Sequence, residues 1–271
     1  MGELEREVAR ATHILREHTN NCISVIAGCE LFTRTITHYL KESNFAAARE
    51  KLLLKLENFG ERSLGCREMV AHFALDFIRD GMTILIHSYS RVVMALLARA
   101  VAANRRFRVL VTESKPTNRG IKAAIELERL GIEATVILDT AVGYYIERVQ
   151  MVLVGAEGVV ENGGIINQIG TYMVAAMAKA ANVPFYAVAE RYKFVRCYPL
   201  SQRDMPTMST ALLLSGDLSP SHITPSSDNH FEPNHPTIDY TPPGLITLLF
   251  TDFGVLTPSA VSDELIKMYY D

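Results

Sequence analysis

Between Val152 and Thr171 the chain reads VLVGAEGVVENGGIINQIGT, a short apolar run followed by a glycine-rich stretch. Glu157, Glu161 and Asn162 stand among Gly155, Gly158, Gly163 and Gly164, and a helix-forming segment, Tyr172–Ala181, comes next. Carboxylates and an amide hydrogen-bond to hydroxyl groups, whereas glycine turns and helix N-termini present backbone N–H groups to anions. The mixture suits a ligand carrying both hydroxyls and a phosphate. An ordinary glycine-rich turn between a strand and a helix is the structural alternative for the same residues.

These groups converge only if the surrounding chain sets strand ends side by side. Residues 1–80 read as helices alone: Glu3–His18, Glu30–Leu40, Phe45–Phe59 and Glu61–Arg79. In the last of these, Val70, Phe73, Ala74 and Phe77 form one apolar stripe, and Gly81 stops the pattern. From Thr83 short apolar runs alternate with helical stretches. The expected strands are Thr83–His87, Arg108–Thr112, Ala134–Leu138, Met151–Val154, Phe185–Val188 and Leu245–Phe250. Between them lie Val92–Ala103, Gly120–Leu130, Ala141–Val149 and Tyr172–Ala181, and Ser259–Tyr269 closes the chain as a helix. Near-continuous apolar strands separated by helices indicate a mostly parallel sheet covered on both faces. The expectation is a helical domain over 1–80 and a doubly wound, Rossmann-like α/β domain over 81–271. Within it, 201–243 is rich in Ser, Pro, Asp, Asn and His and reads as a long, partly disordered excursion.

Sheets of this kind bind ligands at the carboxyl ends of their strands. His87–Ser88–Tyr89 follows the first expected strand and Glu113–Ser114–Lys115 the second. Asp139, Glu157, Glu190–Arg191 and Thr251–Asp252 follow the others, with Arg91, Lys115, Arg119 and Lys193 supplying cations nearby. The expected anion end is built from the N–H groups of Asn162, Gly163 and Gly164 and the start of the next helix, helped by Lys115 or Arg119. The expected polyol end is Glu157, Asn162 and the Ser88 hydroxyl. No catalytic residue is assigned, because Ser88 beside His87 is adjacency in sequence and not a dyad. Neither GxSxG nor GxxxxGK[ST] occurs, so a hydrolase elbow and a P-loop are unsupported.

At 271 residues and 48% hydrophobic content the chain can bury a sizeable core. A net charge of −3 argues against broad attraction to nucleic acid or anionic lipid. No apolar run reaches the roughly 20 residues of a membrane span. The first residues, GELEREVARATHILREH, are charged, so no secretory signal is expected and a cytoplasmic location is. Cys22, Cys29, Cys66 and Cys197 have neither CxxC nor metal-ligand spacing; free thiols and no metal are expected.

The segments ILIHSYSRVV, VTESKP, LDTAVGY, GAEGVVENGGIINQIGT, PFYAVAERYKFVR and DYTPPGLITLLFTDFGVLTPSAVSDELIKMYY together resemble the alpha-subunit family of eukaryotic translation initiation factor 2B. The likeness runs from about Gly28 to Asp271, leaving out the Ser/Pro segment. The same fold family includes methylthioribose-1-phosphate and ribose-1,5-bisphosphate isomerases. In those enzymes the position of Ser88 is a cysteine and that of Glu157 the catalytic aspartate. Lys115 replaces an arginine of their ETRP-type segment, and Gln168 a lysine of NKIGT. Serine has no accessible ionised form without an activating base. A longer carboxylate arm is also misplaced, when about 1 Å can cost on the order of a hundredfold in rate.

The resemblance therefore implies a regulatory subunit of the exchange factor for initiation factor 2, not an enzyme. It implies a homodimer that bridges the complex and meets the beta and delta subunits. It also implies a helical region, with Arg34 as the named candidate contact, that senses the phosphorylated alpha subunit of initiation factor 2. The C-terminal run holding Leu248, Phe250, Phe253 and Leu256 is the expected self-association surface. No cofactor is expected beyond a possible sugar phosphate or phosphate. The alternative is an active aldose–ketose sugar-phosphate isomerase.

Overall fold

A computed structural model of the chain describes residues 2–19, 22–40, 45–205 and 236–270. Helices α1 (Gly2–His18), α2 (Ile23–Leu40) and α3 (Phe45–Ala74) lead into β1 (Thr83–His87), α4 (Arg91–Ala102), β2 (Arg108–Thr112), α5 (Arg119–Arg129) and β3 (Glu133–Ile137). Then come α6 (Val142–Tyr145), β4 (Met151–Gly155), β5 (Gly158–Val160), β6 (Ile165–Gln168), α7 (Thr171–Ala180) and β7 (Phe185–Val188). The remainder is β8 (Phe194–Val195), β9 (Ile238–Thr241), β10 (Leu248–Thr251), β11 (Gly254–Leu256) and α8 (Val261–Tyr270).

Seven strands form one sheet in the order β11-β10-β7-β4-β1-β2-β3. Every pairing is parallel except β10 with β11, which is antiparallel. Alternation along β1 shows why the strands read as unbroken apolar runs. Ile84 and Ile86 pack with α3, α4 and α5 on one face, and Leu85 with α6, α7 and α8 on the other. The chain winds outward from β1 through β2 to β3, then returns to place β4 on the other side of β1. Adjacent strand ends whose connections leave in opposite directions open a crevice, here between β1 and β4.

Several elements differ from the sequence reading. The expected glycine turn after β4 is a β-hairpin, β5 and β6, inserted before α7. With β8 and β9 it makes a second sheet in the order β8-β5-β6-β9. Helix α2 starts at Ile23, seven residues earlier than its propensity suggested. Ile23 and Ala27 are buried against Val160, Ile166, Val195 and Tyr240 of the small sheet, and that burial outweighs poor local helix formers. The two helices expected either side of Gly60 are one, α3, with Val70, Ala71 and Ala74 in the main core. It stops at Ala74 so that a 3-10 turn, Leu75–Phe77, can turn Phe77 onto Phe250, ring centres 4.7 Å apart. The residues of 1–80 thus share both cores.

Residues 206–235 of the expected excursion lie outside the described residues. The flanks are regular: Ser201 and Asp204 close a capping box, and β9 pairs with β6. The C-terminal run read as spare apolar surface is mostly core. Phe250 is fully buried, Phe253 packs on Phe194 at 5.4 Å, and Leu248 and Leu256 are partly buried. Exposed apolar side chains include a group on α5 and at the end of the edge strand β3: Ile121, Ile125, Val136 and, just past the strand, Leu138.

Candidate functional site

Ser88 leaves β1 with φ of +63°, and Ser114 and Asn118 follow β2 with φ of +61° and +52°. Left-handed backbone costs a non-glycine residue roughly 1–3 kcal/mol and persists where surrounding structure imposes it, often at binding sites. The Ser88 hydroxyl is buried and, among the described residues, has no hydrogen-bond partner. A buried hydroxyl with nothing to bond costs free energy unless something fills the role.

Across the switch point, the loop after β4 carries Glu157. A Cβ on Gly155 would stand 2.3 Å from Ser90 Oγ, so this glycine lets the loops of Ser88 and Glu157 meet. The Glu157 carboxylate accepts from Gln168 Nε2 and lies 3.9 Å from Nη1 of Arg119, the first residue of α5. Its other oxygen is 4.0 Å from Cys22 Sγ. Lys115 is exposed, with Nζ 3.8 Å from Glu113. The loop that carries it is fixed by Asp139, whose oxygens accept the N–H groups of Ser114 at 2.9 Å and Lys115 at 2.7 Å. Arg119, Glu157 and Gln168 are therefore assembled in direct contact, with Ser88 on the neighbouring strand end.

The expected anion end is corrected. Asn162, Gly163 and Gly164 form the tip of the β5–β6 hairpin, and their polar groups serve it. Asn162 Oδ1 accepts from the Gly164 N–H at 2.9 Å, its Nδ2 donates to the Tyr240 hydroxyl at 2.7 Å, and the Gly163 N–H donates to Val160. The start of α7 is already met by an internal carboxyl group. Asp239 Oδ2 accepts the N–H groups of Gly170 at 2.7 Å and Tyr172 at 3.1 Å. Burial drives this carboxyl up to about 7, against the lowering effect of the N–H donors.

Among the described residues, two helices that start at these strand ends have uncapped first turns: α4, where the Ser90 side chain makes no cap bond, and α5, where Asn118 makes none. Helix dipole and unbonded N–H groups there favour negative charge.

His87 is no base for Ser88. Its Nε2 lies 2.8 Å from the Ile169 carbonyl, which can only accept, so Nε2 carries the proton; Nδ1 then accepts from Thr112 Oγ1 at 2.7 Å. Burial holds the ring below its usual range, and hence neutral. Two further strand-end acids are spent on structure. Glu190 is buried and meets Lys193 at 2.9 Å, Tyr192 at 2.9 Å and Arg67 of α3 at 3.3 Å. Burial opposes its charge, but Lys193 and the hydrogen bonds outweigh that and hold it below the usual carboxylate range. Asp252 accepts from the Arg191 N–H at 2.6 Å and from Cys66 Sγ at 3.3 Å.

Arg34 lies on α2, part-exposed, in an open groove of about 770 Å3 with Arg16, Glu30 and Arg196. Burial raises Glu30 there, against the pull of Arg16 and Arg196. Sequence reasoning missed Cys22 and Asp239. They are 135 and 69 residues from the groups they touch, and nothing local marks either. Among the described residues no group of His, Cys, Asp and Glu is placed to hold a metal ion, and no helix is long and apolar enough to cross a membrane.

Fold and site define a doubly wound α/β protein with a polar crevice at its switch point and a helical region packed onto the same edge. The model of the initiation factor 2 subunit family matches residues 1–258. The chain is 43% identical to translation initiation factor eIF2B subunit alpha of Dictyostelium discoideum, over 98% of this chain and 84% of that protein. It is 30% identical to the ribose 1,5-bisphosphate isomerase of Methanocaldococcus jannaschii, over 90% of this chain and 77% of that protein. Its fold superposes with a TM-score of 0.77 on a chain of the tetrameric eIF2B-beta2-delta2 complex from C. thermophilum, at 22% identity over 99% of this chain and 81% of that one. This chain belongs to the initiation factor 2 subunit family.

Proposed function

We propose that this chain is a non-catalytic, alpha-type regulatory subunit of the exchange factor that recycles initiation factor 2, bridging that complex as a homodimer in contact with beta and delta subunits. The observation that carries the reading is near-full-length likeness to an eIF2B alpha subunit, at 43% identity. The apolar side chains left open on α5 and β3 support a protein–protein face, and the groove around Arg34 supports a contact with the phosphorylated partner. Sedimentation velocity tests assembly. The chain alone should run as a dimer at micromolar concentration and join purified beta and delta subunits in a larger particle. A monomer that ignores both subunits refutes the assignment.

The crevice binds a sugar phosphate and does not convert it. The orphaned Ser88 hydroxyl and the Glu157 carboxylate suit hydroxyls; Arg119, Lys115 and the first turn of α4 suit phosphate. The competing isomerase reading needs an acid and a base at these positions, and with both His87 nitrogens committed Ser88 lacks one. Ribose 5-phosphate at about 100 times its Kd should add roughly 2.7 kcal/mol of stability, a melting shift of several degrees. Appearance of the ketose would overturn the non-catalytic reading, and absence of any shift the pocket itself.

A further inference from the structure

Glu157 faces two ways. One oxygen meets Gln168 and Arg119 in the crevice, and the other lies 4.0 Å from Cys22 Sγ. Cys22 stands at the threshold of α2, its carbonyl accepting the N–H groups of Val25 and Ile26 at 3.0 Å each. The next residue, Ile23, is buried in the core of the small sheet. Its Cγ2 would be 2.6 Å from a Cβ on Gly158, immediately after Glu157. Residues 157 and 158 thus touch the first turn of α2 with a polar contact and an apolar one.

Other ties also join the helical region to the strand ends, and one of them, Cys66 with Asp252, is again a thiol beside a carboxylate. Glu190, with 2% of its side chain exposed, holds Arg67 and Lys193, and Asp252 holds Cys66. A buried carboxylate does not leave two cations for a ligand, because the stranded charges would be costly. Glu157 keeps 24% of its side chain exposed and receives from the residue before α2 only a thiol, a weak donor that also lies 3.1 Å from Ser24 Oγ. Hydroxyls of a bound polyol are stronger donors to the same oxygen.

We infer that Glu157 couples the crevice to helix α2. A sugar phosphate that draws the carboxylate onto its hydroxyls releases Cys22, loosens the first turn of α2 and shifts the helix that carries Arg34. The inference rests on the crevice reading above. Reciprocity follows: whatever binds the Arg34 groove changes sugar-phosphate affinity by the same factor that sugar phosphate changes its own.

Amide hydrogen exchange on the whole chain tests it, with and without millimolar ribose 5-phosphate and with melting followed in parallel. Amides of residues 23–29 should exchange about 5-fold faster or more with the sugar phosphate, the low end of common coupling strengths, while residues 66–74 beside the Glu190 cluster should not change. Cys22→Ala should exchange fast in α2 without sugar phosphate and respond no further to it. A melting shift with unchanged exchange in α2 overturns the coupling and leaves the crevice standing. A Cys22→Ala protein that responds as the parent does overturns the contact as coupler. Absence of both shift and exchange change removes the crevice reading and the coupling together.

Discussion

Asp239 offers the sharpest test of the physical picture, because its environment sets two effects against each other. Two backbone N–H groups at the start of α7 favour the charged carboxylate, and burial opposes it. At 5% exposure burial wins, and the carboxyl is pushed up to about 7 from an ordinary 3.8. The native state then holds a proton between about pH 4 and 7 that the unfolded chain has released. Asp239 therefore contributes stability that is fully present below the unfolded value and lost as pH rises through the folded one. At about 1.4 kcal/mol per unit up to the folded value, the interval from pH 5 to 8 removes roughly 3 kcal/mol. For a chain of this size that is a fall in Tm of about 5 °C. Asp239→Asn keeps an acceptor for Gly170 and Tyr172 but cannot titrate. Differential scanning calorimetry from pH 5 to 8 should show the parent losing about 5 °C more than the variant, with no further divergence above pH 8. Subtraction removes the histidines and other groups common to both. Parallel curves would refute the claim that burial dominates at α7.

Three further outcomes follow from the same contacts. Lys193→Met should cost about 3 kcal/mol in urea unfolding, since Glu190 is left buried with Arg67 and Tyr192 alone. Gly163→Ala should destabilise more than Gly81→Ala in the same assay. Both have left-handed φ, +85° and +78°, but a Cβ on Gly163 would stand 2.0 Å from the Pro258 carbonyl oxygen and one on Gly81 meets nothing within 4 Å. Cys66 should resist iodoacetamide in the native protein at pH 8 while exposed Cys197 reacts, as read by peptide mass spectrometry. Burial and then Asp252 push the Cys66 thiol up to about 12.

The central strands of the large sheet were legible in the sequence because they are buried on both faces. Thr83–His87, Arg108–Thr112 and Phe185–Val188 begin and end where their apolar runs do. Burial on two sides forces continuous hydrophobicity, and that is a local signal. Glu157, Arg119 and Ser88 were legible as site candidates for a related reason: strand ends in such sheets share one edge, so polar residues just after apolar runs share a neighbourhood. Family membership was legible too, through short motifs spread along the chain.

What the tertiary structure alone decided rests on pairings between distant residues. The small sheet joins strands of two to four residues, among them Ile165 with Thr241, and such pieces carry too few alternations to register. Once that sheet exists, Asn162, Gly163 and Gly164 belong to a hairpin tip, and the N-terminus of α7 is met by an aspartate arriving 69 residues after Gly170. Helix α2 reaches back to Ile23 because the same sheet offers it a core, and Cys22 meets Glu157 across 135 residues. Composition and periodicity report how a segment must be buried; they carry no term for which distant group will satisfy a given N–H, carboxylate or thiol. Where several partners are chemically equivalent, packing of the whole chain makes the choice.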